Sequence, residues 1–388
     1  MDIVQVLLQT DTLMHSGNFM QEIKLLLQDL GIPIFYAKLV LGTLFSFLIT
    51  FYSIPPILKI SLQKNLIDEP GVRSSHLRKI PNLGGIAIFF SLSVCASIFA
   101  FELFEIYKFL FASLVILLYI GVMDDIVVMR AYKKLIAQIV VTALIVIGSD
   151  VRIRNFFGLF AIYELNYYVS VFISIFTFII LINAFNLIDG IDGLAGIFSI
   201  LCSAMFGISY FRLGEYNYPL VVLSGVIIGS VAGFLVYNLS GNYAKKIFMG
   251  DTGSMILGFL LAFTAINFID IFIDKKLPNV PRYYLQSAPA IAMAILILPI
   301  TDTLNVIIIR LILGKSPFIA DRNHIHHSLL DLGLSHRRST FYIITYFVCI
   351  VMVAYYFRHI NVNLLLLVIL MLGFIGAYIP KLILLLRK

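Results

Sequence analysis

Long apolar runs separated by short polar segments make up most of this chain. From residue 35 onward, eleven runs are long and apolar enough to form membrane-spanning helices, at about 17–25 residues per crossing. They lie at about 35–58, 82–101, 108–123, 134–149, 167–183, 194–211, 219–238, 255–270, 288–312, 341–357 and 363–384. The pattern predicts an all-α polytopic membrane protein, with an amphipathic N-terminal extension at 1–34 and a single transmembrane domain at 35–388.

The composition supports this interpretation. Of 388 residues, 61% are hydrophobic and only 13% are charged, against about 25% charged residues in soluble globular proteins. No polar stretch is long enough to form an independent soluble core. The net charge of +7 would suggest nucleic acid in a soluble protein, but in a membrane protein it is typical of cytoplasmic loops. We therefore expect a lipid bilayer and no nucleic acid as partner.

The basic residues predict the orientation. An odd number of crossings places the two termini on opposite sides of the membrane. With the N-terminus outside and the C-terminus cytoplasmic, most of the 28 Lys and Arg residues fall in inner loops, as the positive-inside rule requires. Each loop that contains an unusual polar cluster then lies on the cytoplasmic face.

One polar stretch, N-A-F-N-L-I-D-G-I-D-G at 183–193, lies between two apolar runs. Asn183, Asn186, Asp189 and Asp192 recur every third residue, so on a helix they form one polar ridge. Polar groups at membrane depth are costly and often functional, although such a ridge could also serve only to join helices.

Aspartates also lie at the end of one apolar run and at the start of another. Asp124 and Asp125 are adjacent at the end of the third run, and their repulsion is costly unless a cation or proton relieves it. The alternative is a simple stop signal at the membrane interface. Asp251 lies between Gly250 and Gly253 at the start of the eighth run, in a glycine-rich turn that suits phosphate or metal binding.

Basic and histidine residues are concentrated in two inner loops. Arg73 and His76 make the first inner loop a candidate anion site. The last inner loop contains the densest polar cluster, which suggests zinc binding, phosphate recognition or proton transfer, and zinc is disfavoured because no cysteine accompanies the cluster. Its members are Arg322, His324, His326 and His327, and Asp302 with Arg310 lies in the run before them.

These inner loops together predict a metal-dependent reaction. Carboxylate oxygens without thiolates favour Mg²⁺ or Mn²⁺, and carboxylates with cations beside a bilayer suit a diphosphate substrate. The residues therefore indicate phosphoryl transfer to or from a membrane lipid. A transporter would instead spread its ionisable residues through the bilayer depth, whereas here they gather at one face.

The motifs G-V-M-D-D, N-A-F-N-L-I-D-G-I-D-G-L-A, F-M-G-D-T-G-S, D-T-L-N-V and S-P-F-I-A-D-R-N-H-I-H-H follow one another along the chain. This set resembles the polyprenyl-phosphate N-acetylhexosamine-1-phosphate transferases. The resemblance implies transfer of a sugar 1-phosphate from a UDP-amino sugar to undecaprenyl phosphate, with release of UMP and a requirement for Mg²⁺ or Mn²⁺. It also implies the bacterial plasma membrane and is compatible with a homodimer.

Two branches of this family are alternatives. The phospho-N-acetylmuramoyl-pentapeptide transferases usually contain three consecutive histidines in the last inner loop. Here the run is H-I-H-H after D-R-N, which resembles the branch that uses UDP-N-acetylglucosamine. The sequence does not separate N-acetylglucosamine from related amino sugars.

The resemblance also assigns roles to residues of this chain. Asp251 would ligate the metal together with Asp125 or its neighbour, and one aspartate of that pair could act as a base on the lipid phosphate. The catalytic candidates are Asp124, Asp125, Asp189 and Asp192. The substrate-binding candidates are Arg73, His76, Lys134, Asn183, Asn186, Asp302, Arg322, His324, His326 and His327.

Overall fold

The structure is a computed structural model, and it describes residues 33–64, 66, 80–127, 129–273, 283–312, 314 and 324–386. Its main helices are α1 (Ile34–Gln63), α2 (Gly84–Phe99), α3 (Glu102–Ile106), α4 (Leu110–Val127), α5 (Ala131–Ala143), α6 (Tyr167–Ile188), α7 (Leu194–Arg212), α8 (Tyr218–Asn238), α9 (Gly250–Ile271), α10 (Ala288–Ile295), α11 (Ile297–Ile312), α12 (Ile325–Asp331), α13 (His336–Tyr356) and α14 (Val362–Leu386). A π-helical turn, Leu144–Gly148, extends α5, and short 3₁₀ turns lie at Glu215–Asn217 and Tyr243–Lys245.

The prediction of an all-α polytopic membrane protein is confirmed. In the described part of the chain, nine helices are long and apolar enough to cross a membrane, and the pair α10–α11 makes a tenth if it forms one span. The short apolar helix α2 coincides with the remaining predicted run. The number of crossings and their orientation stay predictions, as does the amphipathic extension, most of which lies outside the described residues.

Helices α8 and α9 form the buried centre of the bundle. Helix α9 packs against α2, α4, α6 and α7, and all its residues from Thr252 to Ile269 are buried. Helix α8 packs most extensively against α1, where a Cβ on Gly229 would lie 2.1 Å from the carbonyl oxygen of Thr43. Because lipid tails are as apolar as the side chains, this close van der Waals packing is what holds the helices together.

Polar side chains lie at both ends of α9. Asp251 is in its first turn and Asp270 in its last, about 28 Å apart at 1.5 Å per residue. That separation is close to the thickness of the hydrocarbon core of a bilayer. Helix α9 is therefore long enough to place one carboxylate near each interface of a bilayer.

The predicted run at 288–312 is bent rather than straight. Helices α10 and α11 meet at an angle of 77° on either side of Leu296. Pro299 lies in the first turn of α11 and has no amide N–H to donate to the carbonyl of Ile295. The chain therefore turns here, and α11 packs between α6 and α14.

A small antiparallel hairpin was not predicted. Strands β1 (Asn155–Leu159) and β2 (Ile162–Glu164) pair across a two-residue loop, Phe160-Ala161, and both loop residues have positive φ. Two-residue hairpin turns in which both residues have positive φ are usually formed by Asn-Gly or Asp-Gly. Because neither dipeptide is present, the sequence did not reveal the turn.

Candidate active site

Asp125 caps the N-terminus of α9. Its carboxylate accepts hydrogen bonds from the backbone N–H groups of Asp251, at 2.7 Å, and Thr252, at 3.0 Å, and from the Thr252 hydroxyl, at 2.6 Å. Helices α4 and α9 can approach this closely because Gly121 faces Thr252, where a Cβ would lie 2.4 Å from the Thr252 Cα. Asp125 thus satisfies N–H groups that a helix start leaves without partners, and it fixes the position of Asp251.

Lys134 joins two of the predicted acidic residues. Its ammonium nitrogen lies 2.6 Å from Oδ2 of Asp251 and is also bonded to Oδ2 of Asp124. Asp124 accepts a further hydrogen bond, of 2.6 Å, from the backbone N–H of Met129. The structure therefore brings together the end of α4 and the starts of α5 and α9.

The two asparagines of the polar ridge join α6 to its neighbours. The Asn183 amide donates to Oε1 of Gln138 on α5 at 2.7 Å, and the Asn186 amide donates to the Ser254 hydroxyl on α9 at 3.0 Å. Part of the ridge does join helices, as the alternative interpretation proposed. Asn186 in particular places the ridge against the first turn of α9.

Asp189 follows the last residue of α6 and lies beside other carboxylates. Burial, together with the negative charges of Asp251, Asp125 and Asp192, raises the pKa of Asp189 well above its ordinary value. Two of these neighbouring carboxylates pair with lysines, Asp251 with Lys134 and Asp192 with Lys246. Asp189 therefore holds its proton more firmly than an ordinary carboxyl, and a cation bound beside it would favour its ionised form.

Asp192 has the opposite environment. Its Oδ2 lies 2.5 Å from the Lys246 ammonium and 3.3 Å from Nδ1 of His336. Burial alone would raise the pKa of Asp192, but these two partners more than offset it and hold the pKa below the ordinary value. The Thr340 hydroxyl also donates to the Asp192 carbonyl oxygen at 2.9 Å, so Asp192 ties the ridge to the start of α13.

Asp302 holds in place the segment that contains His324, His326 and His327, here called the histidine loop. Oδ2 of this fully buried carboxylate lies 2.8 Å from Nδ1 of His324, and Oδ1 accepts the backbone N–H of Ile325 at 2.8 Å. Asp302 therefore orients His324 and caps α12. His324, His326 and His327 are all buried, so they are not part of a solvated surface loop.

His326 connects the histidine loop with the polar ridge. Its ring lies against the backbone at Gly190, where a Cβ would fall 2.3 Å from Nε2 of His326. Burial lowers the pKa of His326 to about 3, so the ring is neutral at neutral pH. The ring stacks on His324, with centroids 5.6 Å apart. His326 is therefore suited to hydrogen bonding and shape recognition rather than to attracting an anion by charge.

Several residues of the site were not among the predicted ones. These are Thr252, Lys246 and His336, which hold carboxylates in place. The signal for them in the sequence was a polar side chain within or close to the motifs. Three predicted substrate-binding residues, Arg73, His76 and Arg322, lie outside the described residues. Their roles stay predictions.

The residues fit a metal held jointly with a substrate. Among the described residues, no group of three His, Cys, Asp or Glu side chains is placed to hold a metal ion by itself. Mg²⁺ commonly binds one or two carboxylates and takes its other oxygens from substrate phosphates and water. Asp251 and Asp189 offer such oxygens, whereas three hydrogen bonds already occupy most of the acceptor positions of Asp125.

Geometry and composition together define the class: a polytopic membrane protein with a carboxylate, lysine and histidine site at one membrane interface. The model of the family "Glycosyl transferase family 4" matches residues 107–269. A probable undecaprenyl-phosphate N-acetylglucosaminyl 1-phosphate transferase of Bacillus subtilis (strain 168) is 32% identical over 298 residues, which are 75% of this chain and 77% of the relative.

Two further relatives are more distant. A decaprenyl-phosphate N-acetylglucosaminephosphotransferase of Mycolicibacterium smegmatis is 27% identical over 335 residues, 82% of each chain. An undecaprenyl-phosphate alpha-N-acetylglucosaminyl 1-phosphate transferase of Escherichia coli (strain K12) is 27% identical over 287 residues, 72% of this chain and 73% of the relative. The chain belongs to glycosyl transferase family 4.

Proposed function

We propose that this protein transfers N-acetylglucosamine 1-phosphate from UDP-N-acetylglucosamine to undecaprenyl phosphate, with release of UMP. The observation that carries the proposal is the convergence of Asp124 and Asp251 on Lys134 at a membrane interface. The relatives named above are transferases of N-acetylglucosaminyl phosphate to polyprenyl phosphates, which supports the same reaction here.

The reaction needs positioning more than proton transfer. A phosphate monoester is already mostly ionised at neutral pH, so the acceptor phosphate has little need of a general base. Phosphoryl transfer is accelerated mainly by in-line alignment and by stabilisation of charge on the oxygens. We assign Lys134 to the acceptor phosphate or the diphosphate, because its ammonium is already at the centre of the acidic cluster.

A divalent cation, Mg²⁺ or Mn²⁺, would be held by Asp251, with Asp189 as second donor. When bound, it would neutralise diphosphate oxygens and the leaving UMP. Asp125 would act by fixing the start of α9, and Asp192 by fixing the ridge against α13. This division departs from the sequence-based assignment of Asp125 to the metal, because its oxygens already accept three hydrogen bonds.

Donor recognition would fall to the ridge and the histidine loop. Asn186 and Asp189 lie beside the start of α9, and His326 lies against Gly190, next to Asp189. A donor diphosphate at Asp251 would therefore extend its sugar or nucleotide toward these residues. We place this site on the cytoplasmic face of the bacterial plasma membrane, because a highly charged UDP-sugar does not cross a bilayer unaided.

The experiment is UMP release by the purified protein in detergent, with undecaprenyl phosphate and a panel of UDP-amino sugars. Omission of lipid or of Mg²⁺ provides the controls. Lipid-dependent release with UDP-N-acetylglucosamine is the expected result. Release only with UDP-N-acetylmuramoyl-pentapeptide would instead assign the chain to that branch, and no release with any donor from folded protein would contradict the proposal.

A further inference from the structure

An apolar cavity of about 250 Å³ lies between α11, α12, α13 and α14. It is lined mainly by aliphatic and aromatic side chains, among them Ile297, Leu298, Leu329, Ile343, Phe347 and Ala377. Apolar cavities of about 150 Å³ exclude water and bind small hydrocarbons. This cavity is therefore large enough and apolar enough to hold a segment of a hydrocarbon chain.

The polar groups in the inner wall of this cavity are already paired. The Thr301 hydroxyl donates to the Ile297 carbonyl at 2.8 Å, and the Tyr346 hydroxyl donates to the Leu372 carbonyl at 2.7 Å. Both carboxylate oxygens of Asp302 are used by the histidine loop. These groups leave few free hydrogen-bonding positions in the inner wall, and a polar ligand there would lose most of its hydration, so the lining favours an apolar occupant.

The cavity has access to the outer surface of the bundle. Two of its lining residues, Tyr342 on α13 and Ile379 on α14, are exposed by 55% and 45%. Both belong to helices that are long and apolar enough to cross the membrane, so we expect this surface to face lipid. The bilayer is thus the source of the occupant.

We propose that this cavity binds a hydrocarbon chain of a bilayer phospholipid. The acceptor lipid is a different case, because its phosphate belongs at the cluster formed by α4, α5, α6 and α9, none of which lines the cavity. Helix α11 packs against α6 on one side and α14 on the other, so it separates cluster from cavity. A hydrocarbon chain in the cavity would pack against Asp302, which pairs with His324, and would thereby help to hold His324 in place.

The test uses the full-length protein in vesicles of phosphatidylethanolamine and phosphatidylglycerol that contain a phospholipid with a diazirine in one acyl chain. After irradiation, labelled peptides are mapped by mass spectrometry. We expect label on cavity-lining residues such as Phe347 and Ala377, which are nearly inaccessible from the surface. Label confined to outward-facing residues would overturn the proposal. This result comes from the wild-type protein, so it does not depend on whether any variant folds.

Two variants and one competition sharpen the test. Ala377→Phe fills the cavity and should lower labelling of its lining at least fivefold, whereas Ile375→Phe, on the exposed face of α14, should leave it unchanged. Excess undecaprenyl phosphate should not displace the label from the wild type. Displacement would show the acceptor chain to be the occupant, and undiminished labelling in folded Ala377→Phe would place the label elsewhere; either result overturns the proposal.

Discussion

The Lys134 ammonium is shared between two carboxylates that are far apart in sequence, Asp124 and Asp251. Replacing Asp251 by Asn removes one negative charge from this group and the main oxygen donor proposed for the metal. We expect kcat for UMP release to fall by roughly 10³-fold, because metal stabilisation of a phosphoryl transition state is worth several kcal/mol. The measurement is the steady-state rate at saturating Mg²⁺ and donor.

Asp270→Asn provides the matched control for Asp251→Asn. Asp270 lies in the last turn of the same helix, where it pairs with Arg154 at the opposite interface. Because it is remote from the cluster, this variant should retain kcat within a fewfold if it folds. Near-wild-type activity of Asp251→Asn would contradict the assigned role of Asp251.

Asp192 predicts a dependence of stability on pH. Its pKa in the folded protein is below the ordinary value of about 3.9 despite burial, because His336 and Lys246 favour the charged form. The carboxylate therefore stabilises the fold above pH 4, and this contribution is lost as the pH falls through the folded-state pKa. In detergent, wild type should melt at a higher temperature than Asp192→Asn at pH 7, with the difference shrinking below pH 4.

An exposed carboxylate serves as the control for that titration. Glu164 lies on the outer strand of the hairpin and has no salt bridge to another described residue. Glu164→Gln should melt at nearly the wild-type temperature at both pH values. A difference between wild type and Asp192→Asn that stays constant down to pH 3 would show that the charge of Asp192 does not act through these partners.

Most of the described site residues could be chosen from the sequence, because an aspartate or histidine beside a membrane-spanning run is rare enough to be noticed. The separate role of each residue could not be predicted from the sequence. Asp124 and Asp125 are indistinguishable by sequence, yet one pairs with Lys134 and the other caps a helix 126 residues away. Such roles depend on which helix end each carboxylate faces, and that is decided only by tertiary packing.

At the scale of elements, the start of α9 depends on one hydroxyl. Thr252→Val keeps the shape of the side chain but removes the hydrogen bond to Asp125. The two backbone N–H bonds remain, so we expect folded protein with kcat reduced about tenfold, equivalent to about 1.4 kcal/mol, because the cap holds Asp251 less firmly. The kinetic assay is the one used for Asp251→Asn.

Thr252→Ser is the matched comparison, since it retains the hydroxyl and loses only a methyl group. It should keep kcat within about threefold of the wild type. Equal losses in the Val and Ser variants would mean that packing of the methyl group, rather than the hydrogen bond to Asp125, determines the effect.

Secondary-structure elements could be predicted from the sequence where the length of an apolar run alone determines them. The nine long helices needed only apolar length, whereas the bend between α10 and α11 and the hairpin needed local information. Pro299 is visible in the sequence, but a proline in an apolar run also occurs in α1, which contains Pro55 and Pro56 and remains one helix. Whether a proline breaks a membrane helix depends on whether neighbouring groups satisfy the freed carbonyl.

At the scale of the whole molecule, the bundle has two chemically different ends. Lys134 near the start of α5 and Asn186 near the end of α6 both lie at the carboxylate cluster, so the hairpin that connects these helices lies at the opposite end. Gly241 follows α8 and precedes Lys246, so it belongs to the cluster end. The positive-inside rule predicts that the hairpin faces outward and the cluster faces the cytoplasm.

Cysteine labelling of intact cells tests this orientation. Cys349 is the exposed native cysteine and is replaced by Ser, while Cys95 and Cys202 are buried. In that background a membrane-impermeant maleimide should label Tyr163→Cys, at a position 61% exposed in the hairpin, without permeabilisation. Gly241→Cys, whose position has no heavy atom within 4 Å of a Cβ, should be labelled only after the cells are opened.

The reverse labelling pattern would place the carboxylates on the outer surface. That outcome would separate the site from a cytoplasmic supply of UDP-sugar while leaving the fold unchanged, so it would contradict the orientation and the proposed donor together. Labelling of both positions in intact cells would indicate that an even number of crossings separates them. Helix α9 runs about one bilayer thickness from Asp251, at the carboxylate cluster, to Asp270, which pairs with Arg154 beside the hairpin. Only opposite accessibility of the two labelled positions agrees with this arrangement.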